Sequence, residues 1–188
     1  MVAEYKTVAS SKVTLSQLML PSHSNFSGKI HGGYLLSLMD QIAFACGSKF
    51  SGRYCVTASV DRVDFLNPIE VGELVTLQAS VNFVGSSSMV IGIRVDAQNI
   101  QTDAIKHCNS SYFTMIAKDD QGQSVAVPRL ILTSELEVMR YLQSAERIRQ
   151  RKARHAMALP FDGKLSAAVA EIRQHFDAKI ELADSELS

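Results

Sequence analysis

The sequence lacks any excess of charge, because 19 Lys and Arg residues balance 19 Asp and Glu residues among its 188 residues. Proteins that coat nucleic acid carry a basic excess, so we expect no nucleic-acid partner, although a neutral total can hide a local basic patch. Cysteine is scarce: the three residues show neither Cys-x-x-Cys nor His/Cys ligand spacing. This argues against a disulfide scaffold and against a zinc site, and it favours free thiols in a reducing compartment.

Long apolar runs are also missing. No stretch approaches the ~18 uninterrupted apolar residues of a membrane span. Residues 1–11 contain Glu4 and Lys6 and lack the apolar core of a signal peptide. We therefore expect a cytoplasmic protein without a membrane partner.

The apolar residues that are present follow two kinds of pattern. Alternation with a period of two predicts strands at 13–20, 56–65, 74–83, 89–96 and 104–117, with a bulge near Arg62 where the apolar phase slips. The stretch from Gly33 to Phe50 is apolar on nearly every side, which predicts a mostly enclosed helix of ~27 Å. Together they predict an α+β fold, a curved antiparallel sheet wrapped around one central helix.

Residues 134–188 differ from the rest of the chain. Ser134 and Glu137 have the spacing of a capping box, and residues 167–183 are typical of an amphipathic helix. A basic run at 147–154 is either a solvated helix face or a contact surface. We predict one domain at 1–133 and a helical extension at 134–188 that is peripheral or packs against a partner chain.

The central helix carries two features that indicate chemistry. Asp40 lies among apolar residues, where a carboxylate is costly unless it is paired, hydrogen-bonded or protonated. Such carboxylates are enriched at active sites, but on local grounds alone a carboxylate that faces solvent or caps a neighbouring element is favoured. Gly32 and Gly33 begin the helix, where unpaired N–H groups can hold an oxyanion. A tight loop-to-helix junction would use the same two glycines.

Polar residues near the helix and at a hairpin turn are further candidates. Asn25 can orient a carbonyl or a water, or simply form a turn. His31 can act as a general base or position the helix start. A glycine followed by three serines can contact phosphates or form a solvated turn: Gly85, Ser86, Ser87 and Ser88. The sequence contains no GxSxG, Walker A or GxGxxG motif.

The segment GKIHGGYLLSLMD, from Gly28 to Asp40, resembles the signature of hotdog-fold acyl-CoA thioesterases. The most similar branch contains the bacterial YciA-type enzymes and the cytosolic brain-type acyl-CoA hydrolases. Segments 56–73, 84–89 and 112–119 are similar to the second strand, the Gly-x-Ser-Ser turn and the last strand of this family. The resemblance covers residues 12–155 and does not reach 160–188.

This resemblance implies the hotdog fold, a dimer whose two sheets join edge to edge, and three such dimers in a homohexamer. It implies active sites at the dimer interface, with Asp40 as general base or nucleophile, Asn25 holding the water or the carbonyl, and Gly33 with Gly32 as oxyanion donors. Substrate and CoA contacts would fall to a larger set: His31, Thr57, Ala58, Gly85, Ser86, Ser87 and Ser88. It implies no metal and no cofactor beyond the coenzyme A of the substrate.

The implied reaction is hydrolysis of a fatty acyl-CoA to the free acid and CoA. Two alternatives stay open. The first is an acyl-CoA-binding sensor or regulator without turnover, in which the basic run 147–154 would contact nucleic acid. The second is a hotdog hydratase or dehydratase, although the Asp/His pair of that branch is not evident in the sequence. Binding without turnover would favour the first, and hydration of crotonyl-CoA the second.

Overall fold

The computed structural model describes residues 4–157 and residues 169, 170, 172, 174 and 175. The chain divides into two compact units, Met1–Glu146 and Arg147–Ser188. All strands of the described residues lie in the first unit. The division of the chain into a catalytic domain at 1–133 and an extension stays a prediction.

Five strands of the first unit form one antiparallel sheet. They are β2 (Val13–Leu18), β3 (Tyr54–Val60), β4 (Glu73–Val84), β5 (Ser88–Asn99) and β6 (Ile105–Lys118), arranged in the order β2-β4-β5-β6-β3. The five strands predicted from alternation are confirmed. A separate parallel pair joins β1 (Tyr5–Thr7) to β7 (Arg129–Ile131), and a short helix, α1 (Val8–Ser11), follows β1.

The predicted central helix is confirmed as α2 (Gly32–Ser51), which contacts all five strands of the sheet. Its buried residues recur at helical spacing and form the centre of the core: Leu35, Leu38, Met39, Ile42, Ala43, Cys46, Gly47 and Phe50. The helix ends at Gly52, whose φ of 68° is the left-handed C-cap conformation that glycine adopts readily.

The expectation that this helix is mostly enclosed is wrong for the single chain. The sheet covers only one face of α2, and the opposite face leaves Leu36, Asp40 and Phe44 exposed. Apolar composition on both faces could not distinguish a face covered by the chain's own sheet from one left open.

The predicted position of the β-bulge is also wrong. The register of β3 against β6 shifts between Thr57 and Ser59, not near Arg62. The strand ends at Val60, and Phe65 belongs to the following loop, where its ring packs over Gly32. The slip of the apolar phase therefore marked the end of the strand rather than an irregularity within it.

The helix predicted to start at Ser134 is α3 (Glu135–Met157). Ser134 Oγ accepts a hydrogen bond from the Glu137 N–H at 3.3 Å, as in a capping box, but the Glu137 carboxylate accepts from Thr133. Tyr141 packs on Phe83 of β4, with ring centroids 5.0 Å apart. The predicted helix at 167–183 lies mostly outside the described residues. None of the described helices has the length and apolarity needed to cross a membrane.

Candidate active site

Asp40 lies two turns into α2, on the face that the sheet leaves open. Thr57 Oγ1 of β3 donates a hydrogen bond to Asp40 Oδ1 at 2.5 Å. Thr57 is the last residue before the register shift of β3, so the bulge directly affects where its side chain points. This bond fixes one carboxylate oxygen and leaves Oδ2 to meet a water or a substrate.

An open pocket of about 390 Å³ surrounds this carboxylate. Its wall combines three polar side chains with apolar and aromatic ones: Asp40, Gln41, Phe44, Tyr54, Cys55, Val56, Thr57 and Met115. Phe44 and Tyr54 meet edge to face with ring centroids 5.5 Å apart. The arrangement can hold an apolar group beside an oriented carboxylate.

The start of α2 is capped by the residue before it. His31 Nδ1 accepts the N–H of Gly33 at 2.9 Å, which satisfies one of the unpaired donors of the first turn. This bond requires Nδ1 to be unprotonated. The two roles considered for His31 were general base and positioning of the helix start. The structure contains the contact of the second role. The Gly33 N–H is therefore already hydrogen-bonded in the free chain.

Asn25 organises the loop that leads to this helix. Its Oδ1 accepts hydrogen bonds from the Ser27 N–H, the Ser27 hydroxyl and the Lys29 N–H, at 2.9, 2.7 and 3.2 Å. The carbonyl end of the side chain is therefore fully used in a turn. Any contact that Asn25 makes with a substrate would come from the amide nitrogen, as a donor.

The Gly85–Ser88 segment forms the tight turn between β4 and β5. The Gly85 N–H donates to the Ser88 carbonyl at 2.7 Å, and the Ser86 and Ser87 carbonyls accept from the chain at Val127 and Ala117. A Cβ on Gly85 would lie 2.7 Å from Ser88 Oγ, so a larger residue here would displace the Ser88 hydroxyl.

The structure brings the predicted residues together in separate groups. Asp40 and Thr57 are in contact, with Ala58 next to them in the bulge. His31 and Gly33 form a second group, at the N-terminus of the helix. The sequence did not predict the Asp40–Thr57 bond, because no local signal relates two residues 17 positions apart. Among the described residues, no group of three or more His, Cys, Asp or Glu side chains is placed to hold a metal ion.

Comparison with protein families and curated proteins gives a consistent result. The model of the family described as Thioesterase superfamily matches residues 27–104. Protein VdlD of Helicobacter pylori is 41% identical over 135 residues, which are 72% of this chain and 77% of that protein. The Bacillus subtilis protein YkhA, described as an uncharacterized acyl-CoA thioester hydrolase, is 35% identical over 151 residues, 79% of this chain and 88% of its own length. A human cytosolic acyl coenzyme A thioester hydrolase is 32% identical over 153 residues, 80% of this chain and 40% of that protein.

Solved structures are similar as well. An apo-hexameric acyl-CoA thioesterase superposes with a TM-score of 0.80 at 32% identity, covering 84% of this chain and 99% of that one. An acyl-CoA hydrolase of Staphylococcus aureus, in complex with butyryl coenzyme A, coenzyme A and coenzyme A disulfide, gives 0.76 at 29% identity, covering 91% and 99%. Three variants of the same S. aureus enzyme replace an asparagine, an aspartate and a threonine by alanine, at its positions 28, 43 and 60.

Proposed function

Since the chain belongs to the thioesterase superfamily and is an acyl-CoA thioester hydrolase, we propose that Asp40 carries the reaction in the pocket beside Thr57. The predicted hotdog fold is confirmed with the family. The observation that carries the site is the Asp40–Thr57 hydrogen bond, which places an oriented carboxylate beside an apolar pocket. Asn25, Asp40 and Thr57 are separated by 15 and 17 positions, as are the three residues replaced in the S. aureus variants.

The first step is the activation of water. The free Oδ2 of Asp40 takes a proton from a water that attacks the thioester carbonyl carbon, and the thiolate of CoA leaves. Thr57 acts as a positioning residue, because its hydrogen bond holds the carboxylate in one orientation. Direct attack by Asp40 to form an anhydride is the other route. A single turnover in ¹⁸O-water detects the second route: label in Asp40 requires an anhydride whose aspartyl carbon is attacked by water, whereas the base mechanism puts the label only into the product acid.

The two halves of the proposed site lie apart on one chain. Gly33 and Asp40 are seven residues apart on α2, about 10 Å along the helix axis. Asp40 lies on the open face of the helix beside Thr57, whereas the donors lie at the helix N-terminus. We infer that Asp40 of one chain acts with Gly33 and Asn25 of a second copy.

The surface for that second copy is present on the first. The open face of α2 exposes Leu36 and Phe44, and β3 is an edge strand of the sheet, so its outer backbone groups can pair with another strand. Edge-to-edge pairing of two β3 strands would place two α2 helices side by side. The hexameric state of a similar thioesterase supports a homo-oligomer, and we propose a trimer of such dimers.

The start of α2 supplies the oxyanion donors. In the free chain, the imidazole of His31 accepts the Gly33 N–H. The oxyanion takes the place of this imidazole, because an anion is the stronger acceptor at a helix N-terminus. Asn25 adds its amide N–H group, the end of the side chain that the loop leaves unused, and Gly32 leaves room for the thioester.

The remaining assignments are proposals of the same kind. Contacts with the CoA part of the substrate are assigned to one set of residues: His31, Thr57, Ala58, Gly85, Ser86, Ser87 and Ser88. Hydrolysis needs no cofactor beyond the coenzyme A of the substrate. A cytoplasmic location is supported by the human relative, which is described as cytosolic.

Release of free thiol from acyl-CoAs of two to eighteen carbons tests the function. We expect hydrolysis by the wild type and a ~100-fold or greater loss in Asp40→Asn, which keeps the size of the side chain and its bond to Thr57. Asp120→Asn, in an exposed turn, is the matched control and should behave as wild type. Equal activity of Asp40→Asn and wild type would refute the assignment. Acyl-CoA binding without thiol release would favour a sensor, and hydration of crotonyl-CoA a hydratase.

A further inference from the structure

A second group of reactive side chains lies on the face of the sheet opposite α2. Ser110 Oγ is 3.1 Å from His107 Nε2, and His107 Nδ1 is 2.9 Å from Asp96 Oδ1. Arg94 Nε donates to the other oxygen of Asp96 at 2.7 Å. A hydroxyl bonded to an imidazole that is held by a carboxylate is the arrangement of a nucleophile, its base and the group that orients the base. We propose that Ser110, His107 and Asp96 form a second hydrolytic site, which accepts the acyl group of small anionic esters.

The alignment of these three side chains depends on a bulge. Residues three positions apart on a regular strand point to opposite faces of the sheet, so His107 and Ser110 would ordinarily be separated by it. The pairing of β5 with β6 shifts here: Asp96 is opposite His107 and Val95 is opposite Asn109, which leaves Cys108 as the extra residue. This extra residue puts His107 and Ser110 on the same face.

The charges favour the tautomer that a nucleophilic site needs. Burial raises the pKa of Asp96, but the hydrogen bonds from Arg94 and His107 lower it further, so the pKa lies below its ordinary value. In the tautomer that carries its proton on Nδ1, the His107 ring donates a hydrogen bond to the ionised Asp96. Nε2 then presents its lone pair to the hydroxyl of Ser110.

A groove of about 330 Å³ lies beside Ser110 on this face. Lys12, Arg94 and Arg140 line it and no carboxylate does, so it suits a ligand that carries negative charge. Gln78 is directly opposite Arg94 in the sheet, and Arg94 is directly opposite Ser110. The Gln78 amide makes no hydrogen bond to the described residues, which leaves it available to donate to an oxyanion.

The reaction balances without a further reagent. Ser110 Oγ attacks the ester carbonyl carbon while its proton passes to His107 Nε2. The ester C–O bond then breaks, and the leaving alkoxide takes this proton from His107 to become the alcohol. Water attacks the acyl-serine and gives a proton to His107. The bond to Oγ breaks, His107 returns the proton to Oγ, and the acid leaves.

A fluorophosphonate probe tests the nucleophile. The full-length protein carries Asp40→Asn, so that the thioesterase site is inactive during the test. We expect one equivalent of phosphonylation at Ser110, with loss of fluoride, located by mass spectrometry of peptides. Labelling should disappear in Ser110→Ala and slow by ~100-fold or more in His107→Gln, which keeps a polar side chain. Ser16→Ala is the matched control, because Ser16 is an exposed serine on the same face, hydrogen-bonded to Thr76 and not to a histidine.

The groove is tested with p-nitrophenyl esters. In the same background, the monoester of glutaric acid should be hydrolysed faster than p-nitrophenyl acetate, and Arg140→Gln should remove the preference. Labelling of other residues, or labelling of His107→Gln at the wild-type rate, would overturn the nucleophilic site. Equal rates for the two esters would overturn its anionic specificity.

Discussion

Mixing two inactive variants would show directly whether a second chain completes the active site. Asp40→Asn removes the base, and Asn25→Ala removes the proposed donor in the loop before α2. Each variant alone should release thiol slowly. In the proposed dimer, each site takes its base, Asp40, from one chain and its donors, Gly33 and Asn25, from the other.

The size of the recovery follows from this geometry. In a two-fold dimer made of one chain of each kind, one site contains both defects and the other contains none. Random assembly makes half of the dimers mixed, so co-expression should restore about a quarter of the wild-type activity per chain. The assay is thiol release from the acyl-CoA that the wild type hydrolyses fastest, after purification through two different tags.

A second mixture serves as the control. Thr57 and Asp40 contribute to the same site from the same chain, since they are hydrogen-bonded within it. Co-expression of Thr57→Val with Asp40→Asn should therefore restore nothing beyond the activity of the separate variants. Absence of recovery in the first mixture, with mixed dimers demonstrated, would refute the shared site.

Three further predictions concern single contacts. Thr57→Val should lower kcat about ten- to hundred-fold in the thiol-release assay, the effect of losing one hydrogen bond to a charged group, whereas Thr57→Ser should retain most activity. Gly92→Ala should lower the free energy of unfolding in urea by ~1–3 kcal/mol, because its Cβ would lie 2.3 Å from the buried Asn82 Nδ2; in an Asn82→Ala background the loss should shrink. Burial raises the pKa of Cys46 to about 12 from 9.0, so the folded state keeps a proton that the unfolded state releases. The free energy of unfolding should therefore fall as the pH rises from about 9 towards about 12, and less steeply in Cys46→Ala; equal slopes would contradict it.

The fold was largely predictable because each helix and strand has its own periodic pattern of apolar residues in the sequence. The alternating residues of β4 and β5, and the spacing of buried residues in α2, follow from the pleat of a strand and the turn of a helix. The bulge was placed wrongly because Val63 and Phe65 continue the apolar pattern after the strand has ended. Their packing, such as that of Phe65 over Gly32, depends on parts of the chain that only the fold brings close.

The sequence supplied a set of candidate site residues but not their geometry. The local pattern and the family resemblance singled out Asp40, Asn25 and the two glycines, whose roles stay predictions. The sequence did not reveal that Asn25 Oδ1 accepts hydrogen bonds within its own loop or that His31 accepts the Gly33 N–H. Both contacts depend on side-chain conformations in the folded chain. The relation between Asp96, His107 and Ser110 depends on a register shift between two strands, and no periodicity in the sequence reports such a shift.

The parallel pairing of β1 with β7 has a consequence for how the chain folds. Tyr5 lies opposite Arg129, and the Arg129 N–H donates to the Glu4 carbonyl at 2.7 Å, so these contacts span more than a hundred residues of sequence. Closing so long a loop costs entropy that local hairpins avoid, which makes this pair a late event in folding. During synthesis, residues 5–7 must remain unpaired until Ile131 has left the ribosome, well after the β4–β5 hairpin can form. The N-terminal segment therefore completes its own two-stranded sheet only after the strands of the five-stranded sheet have been synthesised.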